Sequence, residues 1–198
     1  MFPPTYLGAP NPVKLIIAKN YWDEMGDGHP ELIHTELFDK SVKFMKEHLK
    51  SVGIDPSDID FEEIYSNAAI LLMYGLRRWF VPRLIGALGI LEETASQRFL
   101  AMVDGCNRLG VPKDVIQYQE MHVSVDHDHG RDWFDGVLKP LVHESKDLME
   151  EICKGVLIRH NIAGDYYNKL YDFLKRKQYQ RVLMNEQIKG MSNNPTKN

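Results

Sequence analysis

Apolar and polar positions follow a helical period from Val13 onward. In "VKLIIAKNYWDEM" the apolar residues 13, 16, 17 and 21 share one helix face. Two glycines and a proline in "GDGHP" (26–30) break that helix. "ELIHTELFDKSVKFMKEHLKSVG" (31–53) predicts a second one, with Gly53 as its C-cap. "IDPSDIDFEE" is a loop, with Asp60 a suitable N-cap for an apolar helix over 61–80. Pro82 kinks the chain or starts a new helix. The small residues of "LIGALGILEET" then allow helices to approach closely, and 94–109 are helical. "LGVPKD" is a break, 114–129 a helix, and "GRDWFDGVLKPLV" a turn or distorted helix. Residues 141–160 and 164–188 predict two final helices. No segment alternates with the period of a strand, so the expected fold is an all-α bundle of about seven helices.

The 198 residues, 43% of them hydrophobic, suit one domain with a proper core. Residues 1–12 carry four prolines and should be extended or coiled. The helical domain is expected over 13–188, and 189–198 as a disordered tail. The net charge of −4 and the lack of a basic tract argue against a nucleic-acid partner. The longest apolar stretch, "AAILLMYGL" (68–76), falls short of the ~20 residues that cross a bilayer, so no membrane association is expected. Cys106 and Cys153 form no CxxC pair, which excludes a disulfide framework or zinc ribbon and fits a reducing cytoplasm.

One stretch concentrates chemistry. "HVSVDHDHG" (122–130) holds three histidines and two aspartates. On a helix, His122, Asp126 and His129 lie at about 0°, 40° and −20°, a single stripe, while His127 and Asp128 lie at about 140° and 240°. Imidazole nitrogen and carboxylate oxygen together suit Fe, Mn or Zn. A two-metal site needs further carboxylates. Glu24 and His34 are about 80° out of line on an ideal helix, but the Gly/Pro break between them can change the phase. Taken alone, His34 reads better as an ordinary histidine on an amphipathic face, and Asp23 competes with Glu24. Glu92 ends an apolar run, where a carboxylate is costly unless paired or liganded. Equally, Glu92 and Glu93 could favour the positive end of a helix. Glu120 and Asp128 could orient the histidines, though each reads better as solvated, and Arg77, Arg78 and Arg83 could meet an acidic substrate, though a surface or salt-bridging role suits each better alone. A zinc hydrolase lacks support, since no HExxH motif occurs.

The strings "DEMGDGHPELIHTELF", "VPRLIGALGILE" and "YQEMHVSVDHDHGRDW" in this order resemble the iron-containing redox enzyme family, the heme-oxygenase-like diiron oxidases and oxygenases. The resemblance covers most of the chain. It implies a heme-oxygenase-like helical bundle without heme, holding two Fe(II) ions and using O2 as cosubstrate. It carries Glu24, His34, Glu92, His122, Asp126 and His129 over as metal ligands. It implies oxidation of a small-molecule substrate by N-oxygenation, desaturation, C–C cleavage or hydroxylation. The family also draws a glutamate from an earlier core helix. Nothing acidic precedes Asp23 here, so the N-terminal helix or helices are expected to be missing. That gap would expose an apolar groove and favour a homodimer. It also keeps a second reading open: a non-catalytic helical interaction module, or an inactive truncated remnant of such an enzyme.

Overall fold

The computed structural model describes residues 9–192, with side chains as far as 177 apart from Asp58. Among these residues there is no strand, and the all-α, heme-oxygenase-like expectation holds. Seven α-helices are α1 (Asn11–Glu24), α2 (His34–Ser51), α3 (Glu63–Gly75), α4 (Val81–Arg108), α5 (Gln117–Trp133), α6 (Lys139–Glu144) and α7 (Lys146–Ser192). No helix among the described residues is long and apolar enough to cross a membrane.

Several boundaries differ from the sequence reading. The helix expected over 61–80 stops at Gly75, and a short 3-10 turn at Arg78–Phe80 leads into α4. Of the two readings of Pro82, the start of a new helix holds, since α4 begins at Val81. The proline sits in the first turn, where its missing N–H has no intrahelical partner to lose. From there α4 runs without a break through the glycines of "GALG", and Gly86 abuts the backbone of Ile152 on α7. The two final helices merge into one of 47 residues. Gly164 is the only classical breaker between them, and one internal glycine costs only about 1 kcal/mol. Residues 189–192 of the expected tail continue α7; 193–198 lie outside the described residues, as do 1–8 of the proline-rich segment. "GRDWFDGVLKPLV" is a distorted helix: α5 passes through a π-turn at Phe134–Leu138 into α6.

The core joins α1, α4, α5, the π-turn, α6 and α7 through Val13, Ile17, Val81, Ile85, Trp133, Val137, Leu141 and Ile152. Truncating a buried residue such as Ile17 to alanine costs about 2–5 kcal/mol. Each of three helices carries this apolar face onward into polar positions. On α1 the buried stripe is Val13, Ile17 and Asn20, leading to Glu24. Tyr21, expected on that face, is instead 38% exposed. On α4 Ile85 is followed two turns later by Glu92, and on α5 His122, Asp126 and His129 lead down to Trp133. Ionisable side chains thus occupy core positions at one end of a packed bundle.

Candidate metal centre

The α1–α2 junction decides whether Glu24 and His34 can meet. Gly26, Asp27 and Gly28 take φ values of +65°, +54° and +84° in succession. This left-handed run suits glycine and is tolerated by aspartate. A Cβ at Gly26 would lie 2.6 Å from the Leu32 carbonyl carbon, so the turn closes tightly on the residues before α2. The chain reverses its helical phase there, and His34 Nδ1 comes 3.0 Å from Glu24 Oε2. Across from them, α5 presents His122, whose Nε2 is 4.0 Å from Glu24 Oε1. The His34 and His122 rings lie 4.5 Å apart.

A second group forms one turn further along α5. His129 Nδ1 is 3.5 Å from Glu92 Oε2 and 3.7 Å from Asp126 Oδ1. Gly130 permits this approach: a Cβ there would sit 3.0 Å from the Glu93 Cα, so any larger residue would push α5 off α4 beside Glu92. The six candidate ligands of the sequence reading therefore divide into two sets, Glu24–His34–His122 and Glu92–Asp126–His129. In each set one donor atom per residue lies within 4.8 Å of the others. Five of the six residues are no more than 6% exposed, and only the Glu24 side chain, at 30%, is open to solvent. His127 and Asp128 face outward, as the helical angles predict.

Glu120 and Asp128 take their solvated reading, and other residues orient the histidines. Glu120 pairs with Lys113 at 2.5 Å and Asp128 with Arg131 at 3.1 Å, so neither holds a ring. Instead His122 Nδ1–H donates to the Tyr118 carbonyl at 2.6 Å, which leaves Nε2 as an acceptor facing Glu24. His129 Nε2–H donates to Asp23 Oδ2 at 2.7 Å, which leaves Nδ1 facing Glu92 and Asp126. The buried Asn20 Nδ2 lies 2.8 Å from that Nδ1 and donates to it when the ring is neutral. Asp23 competes with Glu24 in sequence, yet the two serve different sets. Asn20 was legible only as the residue one turn before Glu24 on the same face.

The electrostatics follow from burial. Burial raises the Glu92 pKa, with the Asp126 charge adding to it against the opposing contact with His129. For Glu24 burial acts upward too, but the hydrogen bond to His34 and the nearby imidazoles hold it below the usual carboxylate value. Burial depresses the His122 pKa. For His129 burial also acts downward, but contacts with Asp126, Glu92 and Asp23 outweigh it and raise the imidazolium pKa to about 10. The Tyr118 phenol is pushed up to about 12 by burial and by the surrounding carboxylates.

These groups fit a cation. Asp126 Oδ2 is buried with no hydrogen-bond partner among the described residues. An orphaned carboxylate oxygen beside a second buried carboxylate is costly unless positive charge meets it. Mixed imidazole and carboxylate donors suit iron. Both sets border one cavity of about 390 Å³, with Glu24, Glu92, His122 and Asp126 on its polar wall and Leu88, Leu91 and Phe99 among its apolar lining.

An all-α bundle with two buried histidine–carboxylate sets beside an apolar cavity is the architecture of a metal-dependent redox protein. Residues 4–164 match the family described as iron-containing redox enzyme, and the chain belongs to that family. It is also similar to a nitrosourea synthase of Streptomyces achromogenes subsp. streptozoticus, 26% identical over 180 residues, in a match that covers 78% of this chain and 35% of that protein. The chain thus spans about a third of the length of that curated relative.

Proposed function

We propose that this chain is an O2-dependent, dinuclear non-heme iron oxidase or oxygenase acting on a small-molecule metabolite. Family membership supports an iron-dependent oxidoreductase. The observation that carries the finer reading is the pairing of two ligand sets along one face of α5, both bordering the same cavity. Glu24, His34 and His122 would hold one iron, and Glu92, Asp126 and His129 the other. Two reduced irons held by these sets would supply the electrons that O2 needs before it reacts with an organic molecule. A solely interaction-mediating module offers no use for so many buried ionisable groups, which destabilise a fold when unoccupied.

The protein's own residues would prepare that chemistry. The Tyr118 carbonyl and Asp23 orient the two rings, so that Nε2 of His122 and, once it has given up its proton, Nδ1 of His129 would face a bound ion. Glu24, the most accessible ligand, has one oxygen toward His34 and the other toward His122, a placement suited to a carboxylate that changes its binding mode. Leu88, Leu91 and Phe99 give the cavity an apolar wall against which the carbon skeleton of a substrate would lie. Tyr118 keeps its phenolic proton up to about pH 12 and meets a bound molecule as a hydrogen-bond donor. The nitrosourea synthase likeness puts N-oxygenation ahead of desaturation, C–C cleavage and hydroxylation among the outcomes.

Anaerobic titration with Fe(II) tests the reading. Two irons should bind per chain, and a pulse of O2 should oxidise both. No iron uptake, or uptake that stops at one ion per chain, would defeat it.

A further inference from the structure

The cavity beside the metal centre contains one cation whose role the ligand sets do not explain. Arg98, on α4, lines it together with Glu92, His122 and Asp126. Its Nε donates to the Thr94 carbonyl at 3.1 Å and its Nη2 to the Leu91 carbonyl at 3.2 Å, both on its own helix. Those bonds use two of a guanidinium's five N–H donors and hold the side chain back along the wall at Leu91. No carboxylate pairs with Arg98 among the described residues, whereas Arg83 on the same helix is engaged by Glu151 at 2.5 Å.

A second arginine reinforces the first. Arg159, on α7, is only 9% exposed. Its Nε finds no hydrogen-bond partner, and it has no acidic partner among the described residues. Burial disfavours its protonated form, and the charge of Arg98 adds to that against a smaller opposing contribution from Tyr167. A buried guanidinium without a counter-ion is destabilising as it stands, and the Arg98 charge adds to that cost. An anion between the cavity and α7 would offset that cost.

Resting on the reading of this cavity as the substrate site, we propose that Arg98, backed by Arg159, binds the carboxylate of a small amphiphilic monoanion. A planar carboxylate matches the guanidinium fork. The apolar body would lie against Phe99, Leu88 and Leu91, and the oxidisable end would face Glu24 and His122. Glu24, Glu92 and Asp126, which line the same cavity, disfavour a molecule carrying a second negative charge.

Calorimetric binding to the full, metal-free chain tests this, since no iron is then present to bind a carboxylate. The probes are 4-phenylbutyrate and its neutral counterpart 4-phenylbutanamide. The acid should bind about tenfold or more tightly than the amide. Arg98→Gln should abolish the preference by weakening the acid alone, and Arg98→Lys should keep part of it. Arg159→Leu should weaken acid binding while raising the thermal midpoint, because it removes an uncompensated buried charge. Equal binding of acid and amide, no measurable binding of the acid, or an undiminished preference in Arg98→Gln would overturn the proposal. The first comparison needs no variant, so it stands even if a substitution prevents folding. Iron counts on the same chain separate the two readings. Two irons bound without an acid preference defeat the anion site alone; an acid preference without iron uptake defeats the dinuclear reading alone.

Discussion

The two ligand sets share α5 but are built differently. Glu92, Asp126 and His129 project from two long packed helices, and Asp23 fixes the His129 ring from a third. Glu24 and His34 stand on either side of the tight α1–α2 junction, and only His122 comes from a packed helix interior. The first arrangement is preorganised by the core. The second depends on three successive left-handed residues holding their conformation. A site on rigid elements keeps its geometry without a ligand, whereas a site hinged on a turn must be ordered by one. The Glu92 set should therefore bind its ion more firmly, and the Glu24 set should release its ion first to a chelator.

Deleting one ring from each set is the largest test of that contrast. His129→Ala should remove the tighter ion and His34→Ala the weaker, each lowering iron content from two per chain to one, while His127→Ala should retain both. Elemental analysis after desalting reads the outcome; equal loss in all three variants would dissolve the division into two sets.

Gly26→Ala attacks the hinge alone. The left-handed φ and the 2.6 Å approach to Leu32 make any side chain there strained. A cost of about 1–3 kcal/mol is expected, seen as a lower thermal midpoint and as selective loss of the Glu24-set ion. Loss of the Glu92-set ion instead would show that the junction supports the whole centre.

Asp23→Asn should be milder and should act on the other set. The His129 ring loses its anionic acceptor, and affinity for the tighter ion should fall by about 10–100-fold in chelator competition. The Glu24-set ion should be unaffected, although Asp23 and Glu24 are neighbours in sequence.

The smallest effect is graded with pH. The His129 pKa rises from 6.5 to about 10 in the metal-free fold. Because the folded value is the higher one, its stabilisation is full below about pH 6.5 and disappears as pH rises through 10. A metal ion at Nδ1 must displace that proton, so affinity at this set should rise about tenfold per pH unit within the window. Thermal midpoints of metal-free and iron-loaded protein should diverge as pH increases; parallel curves would remove His129 from the ligands.

Much of the centre was legible in the chain because the helical period is a local property. The stripe of His122, Asp126 and His129 needs only 3.6 residues per turn, and the outward positions of His127 and Asp128 follow with it. The strings around Glu24, Glu92 and His129 also carried the family resemblance. Helix ends were less legible. Pro82 marks the start of α4, one of its two readings, whereas Gly164 looks like a breaker in sequence and the surrounding helix context neutralises it. Asp23, Asn20 and Tyr118 were missed as orienting residues, since each acts on a ring carried by a different helix or by a neighbouring turn.

The amino-acid sequence by itself determined which side chains are available and which share a helix face, because both depend on neighbours within a few residues. Only the tertiary structure decided that the six candidate ligands form two sets, and that Arg98 lines the cavity they border. Those facts depend on how α1, α4, α5 and α7 pack and on the phase change at Gly26–Gly28. Contacts over such separations are selected by burial of the whole core, which no local period encodes.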